Sequence, residues 1–303
     1  MSVDVLDGPT RDWLREQVGA DVVLVLALTG GFTNENLLVR TDGGEQFVLR
    51  RFRRGNSCAV EAALARRLRS VVAVPAVVAA EPDASVAGQP LLLSEFVPGE
   101  LLSVVLARGA GDRQLGEVVG AALTAIGGVR FDRPGLFTGP DLRPDSADMS
   151  TGLTTFVADC LARSVVLSER ERVGLLGLAE RAEPGLAAVG GASSLVHSDF
   201  NAKNILVRRD GASWRVAAVL DWEFAFSGHP LGDVGNMLRF RADLPDAFVD
   251  GFVAGLGELP PDWARLAADL DLFALADLLT RPADHPLMAK VLAVVRQRIA
   301  GTA

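Results

Sequence analysis

The 303-residue sequence predicts an α+β chain of two lobes, a small antiparallel-sheet lobe over residues 1–96 and a larger, mainly helical lobe over 97–303. Three observations carry this. Short β-rich apolar runs separated by glycine turns fill Val22 to Phe52, which is the patterning of a strand meander. From Leu101 onward apolar residues recur mostly at three- and four-residue spacing, as on amphipathic helices. Between them, the apolar run from Pro90 breaks at Pro98-Gly99, which sets a hinge at about 94–99.

In chain order, the first strand is Val22 to Leu28, followed by Thr29-Gly30-Gly31-Phe32-Thr33-Asn34. Gly30 and Gly31 allow backbone to approach a ligand closely, and Thr33 adds a hydroxyl; alone, such a pair is also an ordinary hairpin turn. Asn36 to Arg40 and Gln46 to Phe52 complete the meander around an Asp42-Gly43-Gly44 turn. The pattern Val60 to Leu68 is helical, with Glu61 eleven residues after Arg50. In the second lobe the helices are Leu115 to Ile126, Thr154 to Val166 and Arg170 to Ala182, with a turn-rich connection from Arg130 to Ser150. Leu244 to Ala303 is helical, interrupted at Pro260-Pro261 and from Pro282 to Pro286.

Leu195 to Asp233 concentrates the chemistry. His197, Asp199, Asn204 and Asp221 stand between apolar, β-branched runs, and phosphoryl transfer needs such a set. Asp199 is placed to orient an attacking hydroxyl and take its proton, while Asn204 and Asp221 offer the hard oxygens that Mg²⁺ prefers. Ile205 to Val207 and Ala217 to Leu220, separated at Arg208 to Gly211, read as a hairpin whose two ends bring Asn204 and Asp221 together. His197 is read as a brace for the loop. Lys203 is one of only two lysines in a chain of 30 basic residues, the other being Lys290. It is either a γ-phosphate contact or a solvent-facing side chain.

The His197-x-Asp199-x-x-x-x-Asn204 loop and the Asp221-Trp222-Glu223 triplet resemble those of the aminoglycoside phosphotransferase and choline kinase family, small-molecule kinases of the protein-kinase-like superfamily. That resemblance implies a bilobal protein-kinase-like fold using ATP or GTP with Mg²⁺. It implies that Gly30, Gly31, Thr33 and Asn34 cover the phosphates. Arg50 stands where relatives place a lysine, with Glu61 as its ion-pair partner; the fork of an arginine keeps the charge but not the geometry of an ammonium. Backbone groups of Glu95, Phe96 and Val97 would meet the purine edge, and Asp233, which could equally cap the helix that follows it, would by the resemblance bond the catalytic loop backbone. Phe200-Asn201 departs from the family's usual Leu-His. The implied acceptor is a small hydroxyl-bearing molecule, an antibiotic of aminoglycoside-like, cationic-peptide or nucleoside type, with resistance as the outcome. Alternatives are a metabolic kinase for choline, homoserine or a sugar, or a nucleotide-binding pseudokinase.

The formal charge of −8 argues against nucleic acid as a partner. The most apolar windows are too short to span a membrane, and Cys58 and Cys160 lack metal-like spacing. A cytoplasmic location is expected. The sequence leaves ATP against GTP, and monomer against homodimer, undecided.

Overall fold

Alternation along the first strands decides what each face meets. The structure, a computed structural model, describes residues 6–28, 34–145, 147–148 and 150–301. These residues form two compact units. The first runs to Leu102 and takes in Phe137–Arg143 and Lys203–Glu223; the second comprises Ser103–Leu136, Pro144–Ala202 and Phe224 onward. The segment after Val97 is thus divided between the units, because the hairpin that carries Asn204 and Asp221 packs with the first.

The first unit is built on an antiparallel sheet, with strands β1 (Val22–Ala27), β2 (Glu35–Thr41), β3 (Gln46–Arg51), β4 (Val77–Glu81) and β5 (Leu91–Glu95) in the order β1-β2-β3-β5-β4. The expected meander is β1–β3, displaced by no more than a residue or so at its ends. Leu37, Val39, Leu49, Leu91 and Leu93 share one face and pack with Trp13 and Leu14 of helix α1 (Gly8–Val18). Since successive side chains alternate, Arg50 and Phe52 fall on the other face. There Phe52 and Leu92 pack with Cys58 and Ala62 of helix α2 (Cys58–Leu68). This parity delivers Arg50 to the helix that carries Glu61.

The expected hairpin is present, with Ile205–Asp210 paired to Ser213–Val219 and Glu100–Leu101 added on the other edge of Ile205–Asp210. Gly211 turns it at φ +61°. A bond from the Val219 N–H to the Ala73 carbonyl at 2.8 Å ties the hairpin to the remainder of its unit.

The second unit is mainly helical. Helices Arg113–Gly127, Leu153–Arg163 and Glu169–Ala188 answer to the three expected ones. The third runs six residues beyond the expected end at Ala182, and Pro184 lies inside it. A small sheet pairs Phe226–Gly228 with both Gly135–Leu136 and Ser194–Val196. Within the Arg130 to Ser150 connection, Asp145 accepts the N–H groups of Leu136 and Ala147, and Asp148 accepts those of Ser150 and Gly191. These are turn-stabilising roles. Of the C-terminal helices Asp246–Gly255, Trp263–Leu270, Leu272–Leu278 and Met288–Ala300, the first and last breaks hold the expected prolines, and a further break falls at Asp271. No helix among the described residues is long and apolar enough to cross a membrane.

Candidate active site

In the first unit the site is organised around Arg50, whose side chain is largely covered. Arg50 Nη2 donates to Asp221 Oδ1 at 2.7 Å and lies 3.2 Å from Glu223 Oε2, while its Nε is 3.6 Å from Glu61 Oε2. The planar fork lets one cation meet three carboxylates, which a point-charge ammonium cannot reproduce in the same geometry. Burial works against the Arg50 charge, but Glu61, Asp221 and Glu223 more than offset it, and the guanidinium pKa is raised. Burial likewise pushes the Glu61 carboxyl up to about 7 despite Arg50 and a bond from Ser57. Glu223 is raised as well, by burial and then by the Asp221 charge.

This raised carboxyl has a measurable consequence. Between the ordinary value of 4.5 and about 7, Glu61 holds more proton in the folded state than in the unfolded. Its stabilising contribution is therefore complete below about pH 4.5 and lost as pH rises through about 7, with a scale on the order of 3 kcal/mol. The thermal midpoint is expected to fall between pH 5 and 7.5, and Glu61→Gln to flatten that slope without abolishing it. Asp233 contributes in the same sense, so part of the slope remains. Identical slopes in parent and variant would exclude this origin. The measurement belongs above pH 4.5, because the lowered carboxyls of Glu35 and Asp148 act oppositely below it; His229, lowered by burial, opposes the fall at the acid end of the window, so the comparison of parent with Glu61→Gln carries the test.

Asn204 and Asp221 are brought side by side by the hairpin, whose ends close through a Leu220 N–H to Asn204 carbonyl bond at 2.8 Å. Asp221 has φ +66°. For a non-glycine residue this costs on the order of 1–3 kcal/mol and is concentrated at functional sites. The two side chains offer an amide and a carboxylate oxygen, a donor set that suits Mg²⁺, which commonly takes one or two carboxylates and completes its shell with phosphate and water. Among the described residues no group of three or more His, Cys, Asp or Glu is disposed to hold a metal by itself. A closed structural metal cage is therefore not what these residues offer.

In the second unit, Asp199 sits on a loop fixed from below by helix Leu231–Leu238. Asp233 Oδ2 accepts the His197 N–H at 2.7 Å and Oδ1 the Ser198 N–H at 2.8 Å. Three residues on, and so on the same helical face, Asn236 Nδ2 donates to the Ser198 carbonyl at 3.2 Å. These bonds hold Ser198 at φ +69°. His197 is wholly buried, and its Nδ1 accepts the Asp199 N–H at 3.2 Å. Asn201 Nδ2 donates to Asp199 Oδ1 at 2.7 Å. Burial pushes the Asp233 carboxyl up to about 7 against the pull of its two N–H donors, and the Asp199 charge adds to the rise.

The remaining predicted residues divide. Gly30, Gly31 and Thr33 lie outside the described residues. Asn34 is buried, with Nδ2 donating to Glu223 Oε2 at 2.6 Å and Oδ1 accepting the Arg53 N–H at 3.2 Å. At the expected hinge, the Glu95 N–H is taken by the Ala76 carbonyl and the Phe96 N–H by that of Gln46. Neither N–H is open to a base edge, so of the three backbone N–H groups only that of Val97 stays in contention. Lys203 is exposed. Two residues were not anticipated in these positions, Glu223 and Asn236. The i, i+3 spacing of Asn236 from Asp233 was a usable signal for the second.

The sequence profile of the phosphotransferase enzyme family matches residues 25–268. The chain belongs to that family, and it is a kinase-type phosphotransferase. A search of the curated proteins finds no match. Among solved structures, it is similar to a thermostable mutant of aminoglycoside phosphotransferase APH(4)-Ia in ternary complex with ADP and hygromycin B. That pair is 18% identical with a TM-score of 0.68, over 94% of this chain and 97% of the other. Macrolide 2'-phosphotransferase MphH from Brachybacterium faecium aligns at 21% identity and TM-score 0.59, covering 96% of both chains. A candidate fructosamine-3-kinase from Thermobifida fusca YX-ER1 aligns at 19% and 0.62, over 97% and 98%. At these identities the likeness establishes a shared kinase-like fold.

Proposed function

We propose that the protein moves the γ-phosphate of ATP or GTP to a hydroxyl of a small-molecule antibiotic, of aminoglycoside-like, cationic-peptide or nucleoside type, so that the O-phosphate product confers resistance. The observation that carries the reading is the Asp199 loop. Its backbone is held in a costly conformation by Asp233 and Asn236, as expected where a base must be kept in one position.

In this reading Asp199 accepts the proton of the acceptor hydroxyl and aims its oxygen at the γ-phosphorus. Asn204 and Asp221 would hold Mg²⁺, which would supply charge neutralisation at the phosphates. Arg50, oriented by Glu61, adds a fixed positive charge there. Gly30, Gly31, Thr33 and Asn34 border the phosphates, Lys203 is a candidate γ-phosphate contact, and the Val97 N–H with backbone of Glu95 and Phe96 borders the base. The two free, buried cysteines are consistent with a reducing cytoplasm. A metabolic sugar kinase is the second reading, favoured by the similarity to a candidate fructosamine-3-kinase.

The test is mass spectrometry of antibiotics and hydroxylated metabolites incubated with the protein, Mg²⁺ and either ATP or GTP, with Asp199→Asn as control. One phosphoryl group gained on an antibiotic, and absent in the control, supports the first reading. A gain confined to sugars or other metabolites replaces it with the second.

A further inference from the structure

Glu223 is a half-buried carboxylate whose single oxygen Oε2 serves two partners, Asn34 Nδ2 at 2.6 Å and Arg50 Nη2 at 3.2 Å. Arg50 Nη2 also donates to Asp221 Oδ1 at 2.7 Å. Asn34 in turn accepts the Arg53 N–H at 3.2 Å through its other side-chain atom. A continuous polar chain therefore runs from Asp221 through Arg50, Glu223 and Asn34 to the backbone just after β3. It joins the residue just before β2 to the guanidinium that faces Asp221. Glu35 reinforces the same corner through Arg51 at 3.2 Å and Arg53 at 2.9 Å.

We propose that Glu223 is a positioning residue for nucleotide, tying Arg50 to Asn34 so that the Nη2 end of the guanidinium is shared between two acids and is not drawn wholly onto Asp221. The inference rests on the reading of the protein as a nucleotide-dependent kinase. Without Glu223, Arg50 has Asp221 as its nearest acceptor, and closer pairing there takes positive charge away from the phosphates and masks a carboxylate needed elsewhere. Asn34 would lose its acceptor at the same time. Both Oε2 partners are donors already within bonding distance, which distinguishes the residue from a solvent-facing charge.

Titration calorimetry with ATP and with GTP, each in Mg²⁺ and again in EDTA, on the full chain tests this. Glu223→Ala and Asn34→Ala are each expected to weaken nucleotide affinity about tenfold. The double variant should bind within about twofold of the weaker single one, because both act through one chain of contacts. Glu223→Gln keeps an acceptor for Asn34 and should recover part of the loss, with thermal midpoints near the parent's in all variants. Additive losses, or a Glu223 effect present in Mg²⁺ and absent in EDTA, overturn the proposal, the latter in favour of metal ligation. Unchanged affinity in the variants overturns it alone. A parent protein that binds neither nucleotide overturns the kinase reading and the inference with it.

Discussion

Replacing Asp199 with asparagine is expected to lower kcat by about 10²–10⁴, the usual range for losing a positioned general base, while nucleotide affinity and thermal midpoint stay close to the parent's. The geometry explains the separation. Asn201 Nδ2 donates to Asp199 Oδ1 at 2.7 Å, and an amide oxygen accepts that bond as well as a carboxylate oxygen does. The loop is held through backbone groups of His197 and Ser198, which the substitution does not touch. What disappears is the capacity to take a proton. The Asp199 charge also helps raise the Asp233 carboxyl, so its removal relaxes the loop's support slightly toward the ionised form. Initial rates of phosphorylated product, measured on the acceptor identified by mass spectrometry, give the readout. Turnover within a few-fold of the parent would falsify Asp199 as the base.

How much of this was legible in the sequence depended on how local each signal was. The strands β1 to β3 could be read because glycine turns mark their ends and because alternation is a two-residue rule. Asp199, Asn204 and Asp221 stood out through spacing within one short segment. Helix α1 was missed. Its apolar residues Trp13, Leu14 and Val18 are sparse among charges, although a side-chain cap from Asp7 to the Thr10 N–H and a left-handed Gly19 bracket it. Strand β4 was hidden because Pro75 interrupts its apolar window and because its partner β5 comes later in the chain. The Asn34–Glu223 bond joins residues 189 positions apart, and no periodicity encodes such a pair. From the sequence, Glu223 is therefore open between touching metal-bound water and facing solvent, and its bond to Asn34 is not legible.

Helix packing in the second unit was equally invisible, and it sets the second large effect. Helices Arg113–Gly127 and Asp246–Gly255 cross through reciprocal glycines. A Cβ added at Gly251 would stand 1.9 Å from the Arg113 carbonyl oxygen, and one at Gly116 2.0 Å from that of Phe248. At Gly120 and Gly255 the corresponding distance is 2.2 Å, to the carbonyls of Phe252 and Glu117. Backbone cannot yield as a side-chain tip does, so the helices must part along their contact. Gly251→Ala is expected to cost about 3 kcal/mol, seen as a fall of roughly 6–12 °C in the thermal midpoint. Gly116→Ala should do the same. Combining them should cost less than the sum, since helices already parted for one methyl accommodate the second. Gly139→Ala, where the methyl meets open space, serves as the neutral control. The effect should reach the active site before the unit unfolds. Just beyond the first helix, the Val129 carbonyl accepts the Leu195 N–H, and the Phe131 N–H donates to Ser193, both at 2.8 Å. Those bonds position strand Ser194–Val196, which runs directly into His197 and Asp199. Activity is therefore expected to fall at temperatures where circular dichroism still reports a folded chain. Parallel loss of the two signals would place the damage in global stability alone.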